Sequence, residues 1–305
     1  MSATSTGGRT RAPRTARRAP WPGRAGHGFV AAYTALLIAF GVVPTGYAIY
    51  FAFTDAGARF SGFSNFATAA RDFRYLPAIG HVALYLLFWL VSLVVFVVLL
   101  ALLLHRLAAR GVSRALRFLY YIPGALAGAA SVMVWLFLLD PSVSPVGFLL
   151  RALGYDTFGQ VIAPGHLPIL FTLIAFWTGA GGWIVVMYGA LNNIPHDIME
   201  AARIDGAGAW RIARYIQIPM LRKWIVYMVI LAFATGAQLF VEPQLVSEAS
   251  LGVAGRDYSP NQLAYDFAFQ NNNVNYAAAI SVELLVVSLV VAAIFVTRSR
   301  FFDAN

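Results

Sequence analysis

The sequence contains no cysteine, a single lysine (Lys223) and only 13 acidic residues among 305. Without thiols there are no disulfides, thiolate metal sites or cysteine nucleophiles. The lone lysine stands between Arg222 and Trp224, so no phosphate-binding loop of the Gly-Lys-Ser/Thr type is present. The H-E-x-x-H and G-x-S-x-G patterns are also missing, and the five histidines are scattered. No metal site is expected. Charge is scarce altogether, at 11% of residues against the roughly 25% of a soluble domain. Hydrophobic residues make up 60%, aromatics 14%, and the mean hydropathy is +0.70. This balance excludes an ordinary soluble enzyme and a disordered chain alike.

The apolar residues come in runs of about twenty, the length at which a helix crosses the bilayer core. Six spans are predicted: Phe29–Phe53, Val82–Leu104, Phe118–Leu139, Pro168–Leu191, Trp224–Val246 and Ala277–Thr297. They must be helices, because lipid offers an unpaired backbone amide no partner. Among the basic residues, only Arg59, Arg71, Arg74, Arg151 and Arg256 fall on one face of this arrangement. The other face collects the N-terminal arginines, Arg106–Arg117, Arg203–Lys223, Arg298 and Arg300. Basic loops stay in the cytoplasm, so both termini are expected there, in a multi-pass membrane protein. The net charge of +9 is read as this orientation signal, not as a nucleic-acid surface.

Residues 1–28 read as a disordered basic tail ahead of a six-span transmembrane domain at 29–305. The tail either adheres to anionic membrane lipid or serves as a topology signal alone. The first span is too long for a signal-peptide core and is expected to remain as an anchor.

The longest assigned cytoplasmic loop runs from about residue 193 to 219. Pro195 suits a first helical turn, and Asp197 and Glu200 complement the positive end of its dipole. Ile198, Ala201, Ala202 and Asp205 fall on one narrow, mostly small-residue face. Gly206 and Gly208 can end the helix. A second short helix then fits Ala209–Gln217, with Pro219 stopping it before span five. The product is a helix–turn–helix outside the membrane.

This loop resembles the E-A-A loop of binding-protein-dependent ABC importer permeases. Glu200, Ala201, Ala202, Asp205, Gly206, Ala207, Ile216 and Pro219 match that pattern. Ile218 stands where leucine is usual, Ala213 where the sugar branch has an aromatic residue, and Trp224 where proline is frequent. Tyr121-Ile-Pro123, Trp135, the stretch from Gly147, Asn261–Phe269 and Tyr276–Ser281 are similar to the carbohydrate-uptake, maltose-permease-like branch. That branch also includes importers of polyols and glycerol phosphodiesters. The resemblance implies an all-α integral membrane bundle of six transmembrane helices with a cytoplasmic helix–turn–helix coupling loop. It further implies a second homologous permease subunit, a cytoplasmic ABC ATPase dimer carrying ATP and Mg, and an extracytoplasmic substrate-binding protein. The permease itself would bind no cofactor and catalyse nothing.

Polar residues within the spans are the candidates for a substrate path. Glu242 and Glu283 either line a cavity or reach water near the outer ends of spans five and six. Gln238 and Glu242 share a face at four-residue spacing, with Gln244 nearby and Pro243 disturbing the helix. Trp177 and Trp183 either pack or form the apolar platform that a polyhydroxylated ligand needs. Gly179, Gly181 and Gly182 between them suit close helix approach. The competing expectations are a gradient-driven carrier, which would carry internal repeats and midplane ionisable residues, and a noncatalytic membrane anchor.

Overall fold

The computed structural model describes residues 23–107, 110–126 and 128–298. Every regular element among them is helical. Internal contacts divide the chain into one unit ending at Tyr47 and a second beginning at Ala48. The chain opens with α1 (Gly23–Leu37), a π-helical turn at Ile38–Val42 and α2 (Val43–Ala52). The first helix starts within the segment expected to be a tail, and residues 1–22 of that segment lie outside the described residues.

The second unit continues with α3 (Ser64–Arg71), α4 (Tyr75–Ser92), α5 (Val98–Arg106), α6 (Arg110–Tyr121) and α7 (Gly128–Leu139). Short α8 (Gly147–Ala152) and α9 (Phe158–Val161) lead to α10 (Leu167–Asn192), α11 (His196–Ile204) and α12 (Ala209–Ile212). The chain closes with α13 (Ile218–Gly236), α14 (Val241–Ala249), α15 (Pro260–Phe269) and α16 (Val274–Arg298). Among the described residues, five stretches are long and apolar enough to cross a membrane: Val30–Ala52, Tyr75–Arg106, Leu167–Asn192, Ala209–Gly236 and Val274–Arg298. A bent pair, Gly111–Ala125 with Gly128–Leu139, makes a sixth if taken as one span.

Three predicted spans change form. The second begins at Tyr75, well before Val82. The third is not one rod: its two arms meet at 102°. Pro123 and Gly124 sit in a short 3-10 turn there, Ile122–Ala125. Pro123 removes a backbone donor, and Gly124 lets the turn press on α10, where a Cβ would lie 2.8 Å from the Thr178 carbonyl oxygen.

The fifth span is displaced toward the N-terminus, at Ala209–Gly236 in place of Trp224–Val246. Pro219 does not stop the preceding helix. A π-helical turn at Ala213–Gln217 comes directly before it. In a regular helix the Pro219 ring would clash with the carbonyl four residues back, and the widened turn relieves that clash. The helix breaks later, at Ala237–Phe240, and restarts as α14. Pro243 then lies in a first turn, where its missing donor costs nothing. Glu242 and Gln244 therefore belong to a separate helix, and Gln238 sits in the break, so the expected shared face of Gln238 and Glu242 does not form.

At the centre of the second unit, α10 packs against α4, α5, α6 and α13. Lipid tails are as apolar as leucine, so helix association in a membrane depends on close packing and small residues more than on water exclusion. Two of the three predicted glycines serve that purpose. A Cβ on Gly181 would lie 2.0 Å from the Tyr120 carbonyl oxygen, and one on Gly179 would lie 2.9 Å from the Trp89 indole. Gly182 faces open space. Leu93, Phe171, Ile174, Ile184, Met187 and Met228 fill the core around this contact.

The end opposite α11 is held by polar side chains from distant parts of the chain. Asn65 Nδ2 donates to the Ala52 and Thr54 carbonyls at 2.9 and 2.8 Å, and Asn275 Nδ2 to those of Phe51 and Thr54 at 3.1 and 2.8 Å. These satisfy acceptors that the end of α2 leaves free. Arg74 grips Asp72 with two parallel bonds, Nε at 3.1 Å and Nη2 at 2.9 Å. Its guanidinium lies 4.8 Å from the Phe267 ring centre, and the Tyr276 hydroxyl donates to Asp72 at 3.2 Å. The Tyr75 hydroxyl donates to Glu283. Residues some 200 positions apart in sequence are thereby joined.

Gly181→Ala should destabilise the detergent-solubilised protein by about 1–3 kcal/mol, because backbone must move to admit the methyl group. Gly182→Ala should be neutral or stabilising by up to about 1 kcal/mol. Unfolding temperatures of the two variants measure the contrast, and equal values would remove the close-contact account. A second expectation concerns acid. Hydrogen bonds from Arg74 hold the Asp72 carboxyl below its ordinary range, against the opposing effect of burial. A lowered folded-state value means that the stabilisation is present above the unfolded value of about 3.9 and is lost as pH falls through the folded one. Asp72→Asn should therefore cost about 1–2 kcal/mol at pH 7, and the gap to the parent should close below about pH 4. Unfolding curves across that range test it.

Candidate functional site

Between α10 and the fifth span, α11 and α12 are joined by a short turn, and α12 runs on into the span Ala209–Gly236. Pro195 precedes α11, and Asp197 stands in the first turn, where the helix dipole favours a negative charge. Glu200 pairs with exposed His196 at 3.5 Å. The helix ends in two reinforcing bonds: the Ala207 amide donates to the Ala202 carbonyl at 2.9 Å, and the Gly206 amide to that of Arg203 at 3.0 Å. This double closure needs a left-handed residue at its centre. Gly206 supplies it with φ +73°. Gly208 is extended and starts α12.

The exposure of this elbow differs from the predicted small-residue face. Ala202 and Ala207 are half-buried, whereas Glu200, Ala201, Asp205, Gly206 and Pro219 are exposed. Two large apolar side chains stand out from it, Ile204 at 86% exposure and Trp210 at 68%. Neither is offered an apolar neighbour by the elbow's own small residues. Arg106, at the end of α5, donates to the Ala209 carbonyl and ties α12 to the second span. Arg117 lies 3.8 Å from the Tyr188 ring centre and joins the broken third span to α10.

The six path candidates do not gather in one cavity of this chain. Trp177 meets Trp135 edge-on at 6.0 Å and borders an apolar pocket of about 580 Å³ between the bent span and α10. Trp183 turns to another face of α10 and meets Tyr227 at 5.8 Å. Gln238 is exposed in the break after α13. Glu242 is half-buried near the start of α14. Gln244 donates to Glu248 at 2.7 Å beside a small polar pocket of about 50 Å³. Glu283 is half-buried and held by Tyr75.

Sequence reasoning missed Tyr75, Asp72 and Arg74 because their partners lie on α15 and α16, beyond the reach of any local periodicity. It also missed Arg106 as a tie to the loop. Its position just after a span carried only a topology signal.

The chain is similar to known proteins over most of its length. Residues 94–300 match the family described as binding-protein-dependent transport system inner membrane component. The chain is 27% identical over 294 residues to the diacetylchitobiose uptake system permease protein NgcF of Streptomyces coelicolor, covering 89% of this chain and 81% of that one. It is 26% identical over 280 residues to the osmoprotective compounds uptake permease protein GgtC of Synechocystis, covering 88% and 95%. A chain of a bacterial ABC transporter involved in the import of the acidic polysaccharide alginate superposes with a TM-score of 0.79 at 19% identity, covering 92% of this chain and 96% of the other. Family match, apolar spans and shared fold agree, and the chain belongs to the binding-protein-dependent transport system inner membrane components, the ABC importer permeases.

Proposed function

We propose that this chain is a permease subunit that moves a sugar, oligosaccharide or related polyol into the cytoplasm. It works beside a second, homologous permease. A separate cytoplasmic ATPase dimer holds the ATP and Mg and drives transport, and an extracytoplasmic binding protein delivers the substrate. Relatives named as permeases for diacetylchitobiose and for osmoprotective compounds support the substrate class. A solved alginate transporter of the same fold, in complex with a pentasaccharide-bound periplasmic protein, supports the delivery partner.

The elbow at Gly206 is the observation that carries the coupling reading. A left-handed closure sets two helical arms at a defined angle, and Arg106 ties the second arm to the second span. The arm beyond the turn is continuous with the fifth span as far as Gly236. A push on α11 is thus transmitted to a membrane helix without passing through a flexible linker. Ile204 and Trp210 offer the apolar contact that an ATPase groove would cover, with Glu200, Ala201, Ala202, Asp205 and Ala207 around them. On this reading the elbow is cytoplasmic, and so are both termini.

The transport path is read as running past Trp177, whose pocket has room for an apolar sugar face. Glu242, Gln244, Gln238, Glu283 and Trp183 are reached from other sides of the bundle. A complete polar site would therefore need the partner permease, since a polyol requires several hydrogen-bonding groups together.

Gly206→Val should impair coupling, because a β-branched residue is costly at positive φ, whereas Gly206→Asn should retain much of it. Ala202→Trp should overfill the half-buried wall of α11, and Glu200→Lys should reverse the charge near its start. Gly206→Val, Ala202→Trp and Glu200→Lys should each insert normally yet abolish uptake in proteoliposomes of the full complex, with the ATPase lost or hydrolysing without transport. Parent-like transport in all three would remove the loop from the coupling path. Purified alone, the chain should not hydrolyse ATP. Turnover that survives removal of contaminating ATPases would contradict this division of labour.

A further inference from the structure

Behind the elbow, between α11, α12 and the end of α5, lies a cleft of about 300 Å³. That volume is at the lower end of the range for small-molecule sites. His105, Arg106 and Arg203 line it, and no acidic residue does. Neither arginine forms an ion pair with a carboxylate among the described residues, and the acid nearest in sequence to the cleft wall, Glu200, is engaged with His196. Two guanidiniums facing one concavity repel each other unless an anion joins them. Met199, one turn from Arg203 on α11, and Ile212 of α12 add apolar lining. Gln217 completes the lining. It is 2% exposed, and its amide oxygen has no hydrogen-bond partner. An unsatisfied buried acceptor of this kind costs about 1–3 kcal/mol.

We propose that this cleft binds a small hydroxylated organic anion. Arg203 and Arg106 bind its oxyanion, with His105 as a further donor. Its short carbon body lies against Met199 and Ile212, and a hydroxyl meets the Gln217 amide oxygen once that amide turns toward the cleft. A guanidinium fork suits either a phosphate ester or a carboxylate. The shared chemistry is one oxyanion plus a hydroxyl on a molecule of a few carbons. Such a ligand would bridge α11 to the end of the second span. That it comes from the cytoplasm rests on the orientation proposed above, whereas its binding does not.

The test is calorimetric titration of the purified complex in nanodiscs, with no transport required. The probes are glycerol 2-phosphate for the ester, glycerate for the carboxylate, and glycerol as the uncharged control. Saturable binding of one anion at one site per copy of this chain, with glycerol silent, is expected, and the stronger probe identifies the source. Arg203→Gln should weaken that binding at least tenfold, and Arg203→Lys should restore part of it. Arg203 is exposed, so its replacement spares the core. Absence of saturable binding by both anions, or unchanged affinity in Arg203→Gln, overturns the proposal. Binding seen with this chain alone but lost in the complex also overturns it, and assigns the cleft to an acidic side chain of the ATPase. Failure of the coupling reading would show in uptake, and would leave this titration unaffected.

Discussion

Inside a membrane every backbone amide and carbonyl needs a partner within the protein, and the departures of this chain from regular helix are shaped by that need. The third span bends at Ile122–Ala125, and there the bend is pressed on α10 through Gly124 and Gly181. The fifth span tolerates Pro219 by widening into a π-helical turn. Where α2 ends, two asparagine amides from elsewhere in the chain satisfy its carbonyls. The helix that continues past Gly236 restarts so that Pro243 falls where no donor is required. At the end of α2 and in the fifth span the interrupted ladder is met by an asparagine or a shift of register.

The glycines of α10 set how closely the bundle can pack. Because lipid competes with helix–helix contact on equal apolar terms, a helix gains by approaching its neighbour more closely than lipid chains can. Gly181 lets α10 approach the backbone of α6, and Gly179 accommodates Trp89 of α4. This approach also brings Trp177 beside Trp135 and leaves the apolar pocket between them. The same contact that stabilises the bundle therefore shapes the apolar pocket beside Trp177.

The two ends of the bundle use different chemistry. Opposite the elbow, Arg74 pairs with Asp72, Tyr276 donates to Asp72 and Tyr75 donates to Glu283, so these polar groups find partners within the chain. At the elbow, Arg106 and Arg203 face a cleft without a carboxylate, and Ile204 and Trp210 face outward. The first end ties residues distant in sequence to one another, and the second presents a basic cleft beside exposed apolar side chains.

The loop was legible in the sequence because its structure is local. A left-handed closure needs glycine, and a helix start favours Asp197, so residue type and spacing sufficed to place the turn at Gly206. Four of the apolar spans were legible for the same reason, since hydrophobic length is a property of contiguous residues. Span shape was not. Whether Pro219 ends a helix or is absorbed by a widened turn depends on what packs around it, and whether Pro123 bends a span depends on Gly124 meeting α10. The face shared by Gln238 and Glu242 was inferred from a helix that tertiary packing breaks at residues 237–240. Long-range hydrogen bonds and cavities were beyond reach altogether: Asp72 finds Tyr276, and Tyr75 finds Glu283, only after helices far apart in sequence have packed. The sequence by itself determined where the chain is apolar, where it turns and which end is basic, because these follow from neighbouring residues. Tertiary structure decided which polar groups are paired, which stand open and where the spans bend, because those outcomes depend on contacts that no local pattern encodes.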